Sequence, residues 1–395
     1  VTGLSPDSWY YYRFISDGDT SMIGRTRTLP DGSVDNIRLA VTSCQSYEGG
    51  YYTAWEELTK RNDVDVVVFL GDYIYEYSSD TTQPRGVLPE NEILSTDDYR
   101  LRYNSYRVDP DLQYAHQQFP FINIWDDHEV TNNSYADGAE NHDSTEGDYN
   151  TRVNNALTAF YEWIPIREVD PNERKRIYRS FDFGDLLSLH MIETRLLERD
   201  AEGDDEAAYN DTTRRLIGDT QFEWLVDELK TDTGKWHIIG NQVMFSYLSA
   251  DVPFVGNVVL NSDQWDGYTY ERARIMDSII TNNIDNTVVL TGDIHTAWAN
   301  DIPRDRSNYD GSTGAGSNMV EFVCTSITSS NAGVVGDFPV DPQTLIGSLL
   351  PHVKYSKLTG HGFYILDLKP DRAQGDFYNV GTIDQRKSDL SWDAG

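Results

Sequence analysis

The chain has 395 residues, enough for one large domain with a small appendage or for two medium domains. Its 65 acidic and 32 basic residues give a formal net charge of -33, which opposes binding to nucleic-acid backbones and anionic membranes. Two cysteines exclude a disulfide scaffold, and every apolar run is far shorter than a membrane span.

The first part of the chain has the composition of β-strands. Residues 9–15 (WYYYRFI) and 24–29 (GRTRTL) are predicted strands, and a Pro-Asp-Gly turn follows them. Two strands do not form a stable sandwich alone. We therefore interpret residues 1–32 as the remnant of an N-terminal β-sandwich domain of the fibronectin type III kind, and residues 33–395 as a second, much larger domain.

Beyond residue 36, apolar strands alternate with helical patterns, and polar residues follow the strands. Strands are predicted at 37–43, 63–70, 121–125, 180–192 (two strands), 235–241 and 287–292, helices at 51–58 and 219–229, and loops at 78–98, 136–150, 200–213 and 302–318. This alternation predicts a layered α/β architecture. Ligands of such sheets collect at the carboxyl ends of the strands, where this sequence has its Asp, His, Cys and Asn residues.

Two of these strand ends carry groups suited to metal ions. Asp72 follows Gly71 and a buried strand, so its two oxygens can bridge two cations, and Tyr75 can return to the same site as a phenolate, which Fe(III) favours. Asp293 and His295 stand two residues apart on extended chain and project to the same side. Each motif alone also fits an ordinary polar strand end. Their combination predicts a metal site.

Two further strand ends add to this set. The segment WDDHEVTNN at 125–133 offers Asp127, His128 and Asn132 as metal ligands or proton donors, with a capped helix N-terminus as the alternative. Cys44 directly follows a predicted strand, in register with the other loops. A lone Cys is ordinarily a small buried apolar residue, and this placement favours a ligand instead.

Seven short motifs occur one after another between residues 36 and 330. They are SC at 43–44, GDYIYE at 71–76, YRLRY at 99–103, DDHEVTNN at 126–133, GDTQFEWL at 218–225, NQV at 241–243 and GDIH at 292–295. This set resembles the PhoD-type alkaline phosphatases of the calcineurin-like metallophosphoesterase superfamily. The resemblance implies an α/β metallophosphoesterase sandwich, with two mixed β-sheets flanked by helices, preceded by the end of a β-sandwich domain.

The resemblance also implies a centre of iron and calcium. Fe3+ would be held by Cys44, Asp72, Tyr75 and His295, and Ca2+ would be faced by Asp72, Asn132 and Asp293. Asp127 stands where the wider superfamily has Asn and is kept as a ligand candidate. Zn2+, Mn2+ or Mg2+ stay open as the divalent ion. Thiolate, phenolate and carboxylate supply the negative charge that Fe3+ prefers, and calcium prefers oxygen ligands.

The expected reaction is hydrolysis of phosphomonoesters, with inorganic phosphate released by in-line attack of a metal-bound hydroxide. Catalytic candidates are Arg102, His128 and Asp127. By resemblance Arg102 clamps the phosphate, for which a planar guanidinium is suited, although a helix-surface Arg is the alternative. His128 would stand near the leaving group. A phosphodiesterase or phospholipase D-like enzyme on the same fold is the alternative. A metal-stabilised surface module is disfavoured by Cys44 and Tyr75.

Small phosphoesters are the expected partners, without a nucleic-acid binding module or a transmembrane segment. Resemblance implies a secreted or cell-surface protein, exported folded by the twin-arginine route. Abundant acidic residues with few lysines are typical of salt-loving organisms, in which salt screens surface repulsion. His190 and His237 lie inside apolar strands and are interpreted as core residues, and the roles of Asn241 and His361 stay open.

Overall fold

Two large mixed sheets organise the computed structural model, which describes residues 1–252, 256–331, 342–387 and 389–395. The helices are α1 (Thr53–Thr59), α2 (Thr96–Arg107), α3 (Pro110–Gln118), α4 (Tyr149–Trp163), α5 (Glu206–Tyr209), α6 (Gly218–Thr231), α7 (Thr269–Thr281) and α8 (Pro342–Leu349), with 3₁₀ turns at Trp265–Tyr268 and Arg306–Asn308. No described helix is both long and apolar enough to cross a membrane.

The strands follow the apolar runs of the sequence. They are β1 (Trp9–Tyr12), β2 (Ile15–Ser16), β3 (Asp19–Thr20), β4 (Gly24–Arg27), β5 (Ile37–Thr42), β6 (Val66–Phe69), β7 (Phe121–Asn123), β8 (Ser134–Tyr135), β9 (Gly138–Ala139), β10 (Arg179–Phe183), β11 (Leu187–Met191), β12 (Trp236–Gly240), β13 (Ala250–Val252), β14 (Gly256–Val258), β15 (Thr287–Thr291), β16 (Ala297–Pro303), β17 (Ser317–Val323), β18 (Val353–Lys357), β19 (His361–Lys369), β20 (Arg372–Val380) and β21 (Leu390–Ala394).

Both large sheets combine a run of parallel strands with antiparallel strands. One has the order β10-β11-β12-β15-β17-β16-β18, in which β11, β12, β15 and β17 are parallel. The other has the order β21-β20-β19-β5-β6-β7, in which β5, β6 and β7 are parallel. The parallel strands β6, β11 and β15 are buried throughout, as expected for strands covered on both faces.

The sheets pack face to face and helices cover their outer faces. One apolar cluster includes Val67 of β6 and Leu290 of β15, so it joins both sheets, and Tyr364 Oη of β19 donates to Phe322 O of β17 over 3.1 Å. A second cluster packs α6 and α7 against β12 and β15. The layered arrangement of two mixed sheets and helices is as predicted.

Helices α2 and α3 begin at residues whose side chains cap the helix N-terminus. Ser95 and Asp98 form a reciprocal capping box at α2, since each side chain accepts a hydrogen bond from the backbone N–H of the other. Asp109 caps α3, in which Pro110 is the first residue. The helices predicted at 51–58 and 219–229 are α1 and α6.

The first 30 residues form small antiparallel pairs beside the large sheets. β1 pairs with β4 and β2 with β3, so the single strand predicted at 9–15 is interrupted after Tyr12. Arg27 forms an ion pair with Asp65, and Arg25 Nε donates to Gln118 O over 2.6 Å. The division of the chain at residue 32 and the origin of the first part in a β-sandwich stay predictions.

Candidate metal centre

Four strand ends bring polar side chains to one edge of the fold. The segments after β5, β6, β7 and β15 carry the predicted ligands Cys44, Asp72, Asp127 and Asp293. Backbone hydrogen bonds join the first two segments: Cys44 N donates to Gly71 O over 3.1 Å, and Gln45 N donates to Asp72 O over 3.0 Å. The sheet therefore fixes the relative position of the loops before any metal is considered.

Four predicted ligands adopt the left-handed backbone conformation, which non-glycine residues rarely take. The φ angle is 58° at Cys44, 59° at Asp72 and 58° at both Asp293 and His295. This conformation costs roughly 1–2 kcal/mol per residue and must be held by surrounding contacts. Strained backbone of this kind concentrates at functional sites.

The first group of side chains, which we call the Cys44 cluster, consists of Cys44, Asp72, Tyr75 and His295. Ligand atoms of Cys44, Asp72 and His295 lie within 4.8 Å of one another. Tyr75 Oη donates to Asp72 Oδ2 over 2.9 Å and lies 3.2 Å from His295 Nε2. Ser329 Oγ donates to Tyr75 Oη over 2.7 Å and orients the phenol. The cluster thus unites sulfur, oxygen and nitrogen donors from three separate segments, those after β5, β6 and β15.

The protonation of this cluster is set by burial. Burial, followed by the charge of Asp72, raises the pKa of the Cys44 thiol and of the Tyr75 phenol well above their usual values. Burial also lowers the pKa of His295 to about 4. His295 Nδ1 lies 2.8 Å from Ser330 O and donates to it, so Nε2 presents its lone pair to the cluster.

These residues fit a metal ion. Asp72 Oδ1 is buried without a hydrogen-bond partner among the described residues, and Oδ2 shares the phenol proton of Tyr75. A neutral imidazole lone pair, a carboxylate, a thiol and a phenol are groups that a cation can bind after losing protons where needed. A bound cation would supply the charge that burial otherwise disfavours.

The second group, which we call the arginine network, lies beside the first. It consists of two guanidinium groups and four carboxylates: Arg195, Arg199, Asp126, Asp127, Asp263 and Asp293. Arg195 is fully buried and donates to Asp126, to both oxygens of Asp263 at 2.9 Å and to Asp293 Oδ1 at 2.7 Å. Arg199 contacts Asp263 as well. Breaking such a buried network by removing one partner is strongly destabilising.

Oxygens of the arginine network are also available to a cation. Asp126 Oδ2 and Asp127 Oδ1 are buried without hydrogen-bond partners among the described residues, and Asp126, Asp127 and Asp293 offer ligand atoms within 4.8 Å. Burial raises the pKa of Asp293 to about 6 despite Arg195. For Asp127, the effect of burial is overcome by Arg195 and His128, which lower its pKa to about 2. An all-oxygen set suits a hard divalent ion.

Glu129 connects two of the loops that carry these groups. Its carboxylate accepts hydrogen bonds from the backbone N–H groups of Asp72 at 3.0 Å, Tyr73 at 2.7 Å and Asp126 at 2.9 Å. Burial raises the pKa of Glu129 to about 7 against these bonds. Glu129 therefore positions Asp72 and Asp126 through the backbone.

His128 is paired with a buried carboxylate. Its Nδ1 lies 2.7 Å from Glu76 Oε2, and its ring lies over Tyr75, with centroids 4.2 Å apart. Burial would lower the pKa of His128, but Glu76, Asp127 and Asp72 hold it well above its usual value. These carboxylates favour the protonated imidazolium, the form that a general acid requires.

Asn132, a predicted calcium ligand, makes hydrogen bonds outside the two groups described above. Asn132 Nδ2 donates to Glu140 over 2.9 Å and its N–H to Glu76 over 2.8 Å. Within the part of the chain that the structure describes, no hydrogen bond links Asn132 to Asp72 or Asp293. Its predicted role as a calcium ligand stays a prediction.

Arg102 faces backbone carbonyls. Its guanidinium is buried and donates to carbonyl oxygens of the 75–91 segment, namely those of Tyr75, Tyr77, Leu88, Pro89 and Asn91. These contacts hold that segment against α2 and favour a structural role. They do not support the predicted phosphate clamp, which stays a prediction.

The sequence interpretation did not single out Arg195, Glu76 or Glu129. Arg195 follows the buried strand β11 by four residues, so the strand-end rule that identified the other ligands also applies to it. Glu76 and Glu129 lie inside recognised motifs, but their partners come from distant segments. Asn241, whose role was open, donates from Nδ2 to Thr291 Oγ1 over 3.1 Å and supports the end of β15.

Comparisons with known proteins point in one direction. The family model described as PhoD-like phosphatase matches residues 39–377, and the one described as its N-terminal domain matches residues 1–30. Alkaline phosphatase D of Bacillus subtilis (strain 168) is 35% identical over 366 residues, which cover 89% of this chain and 61% of the relative. A solved structure described as "Structure of PhoD" has a TM-score of 0.89 at 32% identity, covering 99% of this chain and 75% of that one. The chain thus spans about three fifths of its curated relative.

Proposed function

The chain belongs to the PhoD-like phosphatase family, and from that premise we propose that it is a metal-dependent phosphoester hydrolase that acts as an alkaline phosphatase. The observation that carries the proposal is the convergence of the Cys44 cluster and the arginine network at adjacent strand ends. Small phosphoesters are the proposed substrates. The phosphodiesterase or phospholipase D-like alternative is not favoured, because the relative is named a phosphatase.

We propose Fe3+ for the Cys44 cluster and Ca2+ for Asp72, Asn132 and Asp293, with Asp127 as a further ligand candidate. The thiol and phenol of the first group support a trivalent ion, and the oxygen donors of the second support a hard divalent ion. When bound, the metals would lower the pKa of a coordinated water and neutralise charge on the phosphate.

The side chains around the proposed metals would supply the other contributions to catalysis. His128, protonated and held by Glu76, would donate its proton to the leaving oxygen, and Tyr75 beneath its ring fixes its orientation. Arg195 supplies a fixed positive charge at the carboxylates and keeps Asp127 and Asp293 in place. Burial of Cys44 and Asp72 keeps bulk water from the cluster.

We also propose that the protein is exported and that it functions at high salt concentration. The family resemblance supports a secreted protein, exported folded by the twin-arginine route, and the net charge of -33 supports adaptation to high salt. Residues 1–32 are proposed to be the remnant of an N-terminal domain, and the match of residues 1–30 to the N-terminal family model supports this.

The proposal is tested by metal analysis of the purified protein together with turnover of p-nitrophenyl phosphate and bis-p-nitrophenyl phosphate before and after chelation. We expect iron and calcium, and monoester hydrolysis that chelation abolishes and reloading restores. Cys44→Ser should lose iron and activity, whereas Cys324→Ser, a matched change at the other buried cysteine, should retain both. Folded, metal-reloaded protein that is inert on both esters would refute the proposal.

A further inference from the structure

A third group of ligating side chains lies where α6 ends against β11 and β12. His190 on β11, Asp232 after the last residue of α6 and His237 on β12 offer ligand atoms within 4.8 Å of one another. Both imidazoles converge on one oxygen: His190 Nε2 lies 2.9 Å and His237 Nδ1 2.8 Å from Asp232 Oδ2. We propose that these three side chains form a further metal site, separate from the Cys44 cluster and the arginine network, which binds Zn2+.

The separations are close to those of a zinc site. Tetrahedral Zn2+ with bonds of about 2.0–2.1 Å sets its ligand atoms about 3.3–3.4 Å apart. The two N···O separations, 2.8 and 2.9 Å, therefore need to open by about half an ångström for an ion to enter. Two imidazole nitrogens and one carboxylate oxygen are common zinc ligands, and water completes the fourth position.

Groups behind His190 fit its role as a ligand. Its other nitrogen, Nδ1, lies 2.8 Å from Ser180 Oγ and 3.9 Å from Glu228 Oε2. When Nε2 binds a metal, the neutral ring carries its proton on Nδ1, and the serine hydroxyl or the carboxylate accepts it. An oxygen partner behind a ligating histidine is a regular feature of zinc sites.

The exposure of the three side chains indicates where an ion can enter, and their positions indicate what a bound ion would hold together. His190 is fully buried, whereas the side chains of Asp232 and His237 are 6% and 14% exposed, so an ion enters past His237. A bound ion would tie the end of α6 to two adjacent parallel strands, β11 and β12. Without the ion, the same side chains form a hydrogen-bonded chain, which matches the sequence interpretation of core histidines.

The test uses Co2+ as the probe on enzyme already loaded with iron and calcium. We expect one further Co2+ per chain, with the visible absorption of a tetrahedral ion. Asp232→Asn and His237→Gln preserve shape and should weaken this binding by at least about tenfold while leaving p-nitrophenyl phosphate turnover unchanged. His142→Gln, a histidine paired with Glu146 but lacking a third ligand, is the matched control and should bind Co2+ as the parent does.

A visible Co2+ spectrum that persists in both variants, or parent enzyme that binds no further Co2+, would overturn the proposal. Crystals of the parent soaked in Zn2+ provide a measurement that does not depend on variant folding. An anomalous peak bounded by the three side chains supports the site, and its absence at saturating Zn2+ contradicts it.

Discussion

Tyr75 contacts both the proposed ligands of the Cys44 cluster and the proposed proton donor His128. Its hydroxyl bonds Asp72 and faces His295, while its ring supports His128. The phenol is buried, and burial raises its pKa, so only a cation makes ionisation favourable. Metal binding and deprotonation of Tyr75 are therefore coupled.

Replacing this hydroxyl tests that coupling. Tyr75→Phe keeps the ring on His128 but removes a ligand, so we expect loss of iron, loss of visible charge-transfer absorption, and turnover reduced at least about tenfold. Tyr73→Phe, in the same loop but with its hydroxyl on His116, should keep the iron spectrum. An unchanged spectrum in Tyr75→Phe would remove Tyr75 from the ligand set.

Acid stability is expected to depend on His352, far from the proposed ligands in sequence. Burial lowers its pKa to about 3, whereas an unfolded histidine titrates near 6.5, at about the ordinary value. Between these values the unfolded chain binds more protons, so the free energy of unfolding falls as pH decreases. His352→Gln retains a donor for Tyr247 O and should reduce that slope by up to about 1.4 kcal/mol per pH unit.

Urea denaturation of parent and variant between pH 4 and pH 7 measures the two slopes. Metal loss in acid affects both proteins, so the difference between them isolates His352. If the free energy of unfolding depends on pH in the same way in both proteins, His352 does not contribute to the loss of stability in acid.

At the level of single residues, the sequence could indicate candidate ligands at the strand ends but not every contact. Cys44, Asp72 and Asp293 follow apolar strands, and that local rule was sufficient to bring them together. The contacts of Arg102 could not be predicted, because its partners are carbonyl groups of an irregular loop, which no side-chain pattern encodes. Glu129 could not be found because its bonds join two loops.

Among the elements that carry the proposed ligands, the loops after β6 and β7 approach each other closely. Gly71 has φ of 102°, and a Cβ there would lie 2.4 Å from both the Cβ and the backbone nitrogen of Asp126. A glycine is therefore required both for backbone conformation and for space. The same approach brings Glu129 within reach of the Asp72 backbone.

Gly71→Ala should separate these loops. We expect the free energy of unfolding to fall by about 2–4 kcal/mol and the metal content after dialysis to decrease. Gly86→Ala is the control, because no atom lies within 4 Å of its added Cβ. Equal thermal stability and metal content in the two variants would contradict this account.

Most strands were predictable as elements because apolar runs of parallel strands are local signals. β5, β6, β12 and β15 lie inside their predicted ranges. The break after β1 was not predicted, since the aromatic run continues through residue 15. The order of strands in the sheets could not be predicted from the sequence, because pairs such as β19 and β5 are separated by more than three hundred residues.

For the whole molecule, the net charge of -33 predicts a response to salt. Screening shortens the reach of surface repulsion from about 10 Å at 0.1 M salt to about 3 Å at 1 M. We expect the melting temperature to rise with KCl over this range in metal-saturated protein. NaCl at equal concentrations should act alike if screening is the cause, and a flat or falling curve would contradict the salt adaptation.

The arginine network also determines the valence of the ion it can accept. Its four carboxylates and two guanidinium groups leave two negative charges when all are ionised, which equals the charge of one divalent ion. A trivalent ion would leave an excess positive charge in a buried place. The thiolate, phenolate and carboxylate of the Cys44 cluster offer three negative charges instead. This count of charges supports the proposed assignment of a trivalent ion to the Cys44 cluster and a divalent ion to the arginine network, and it does not depend on ionic radius.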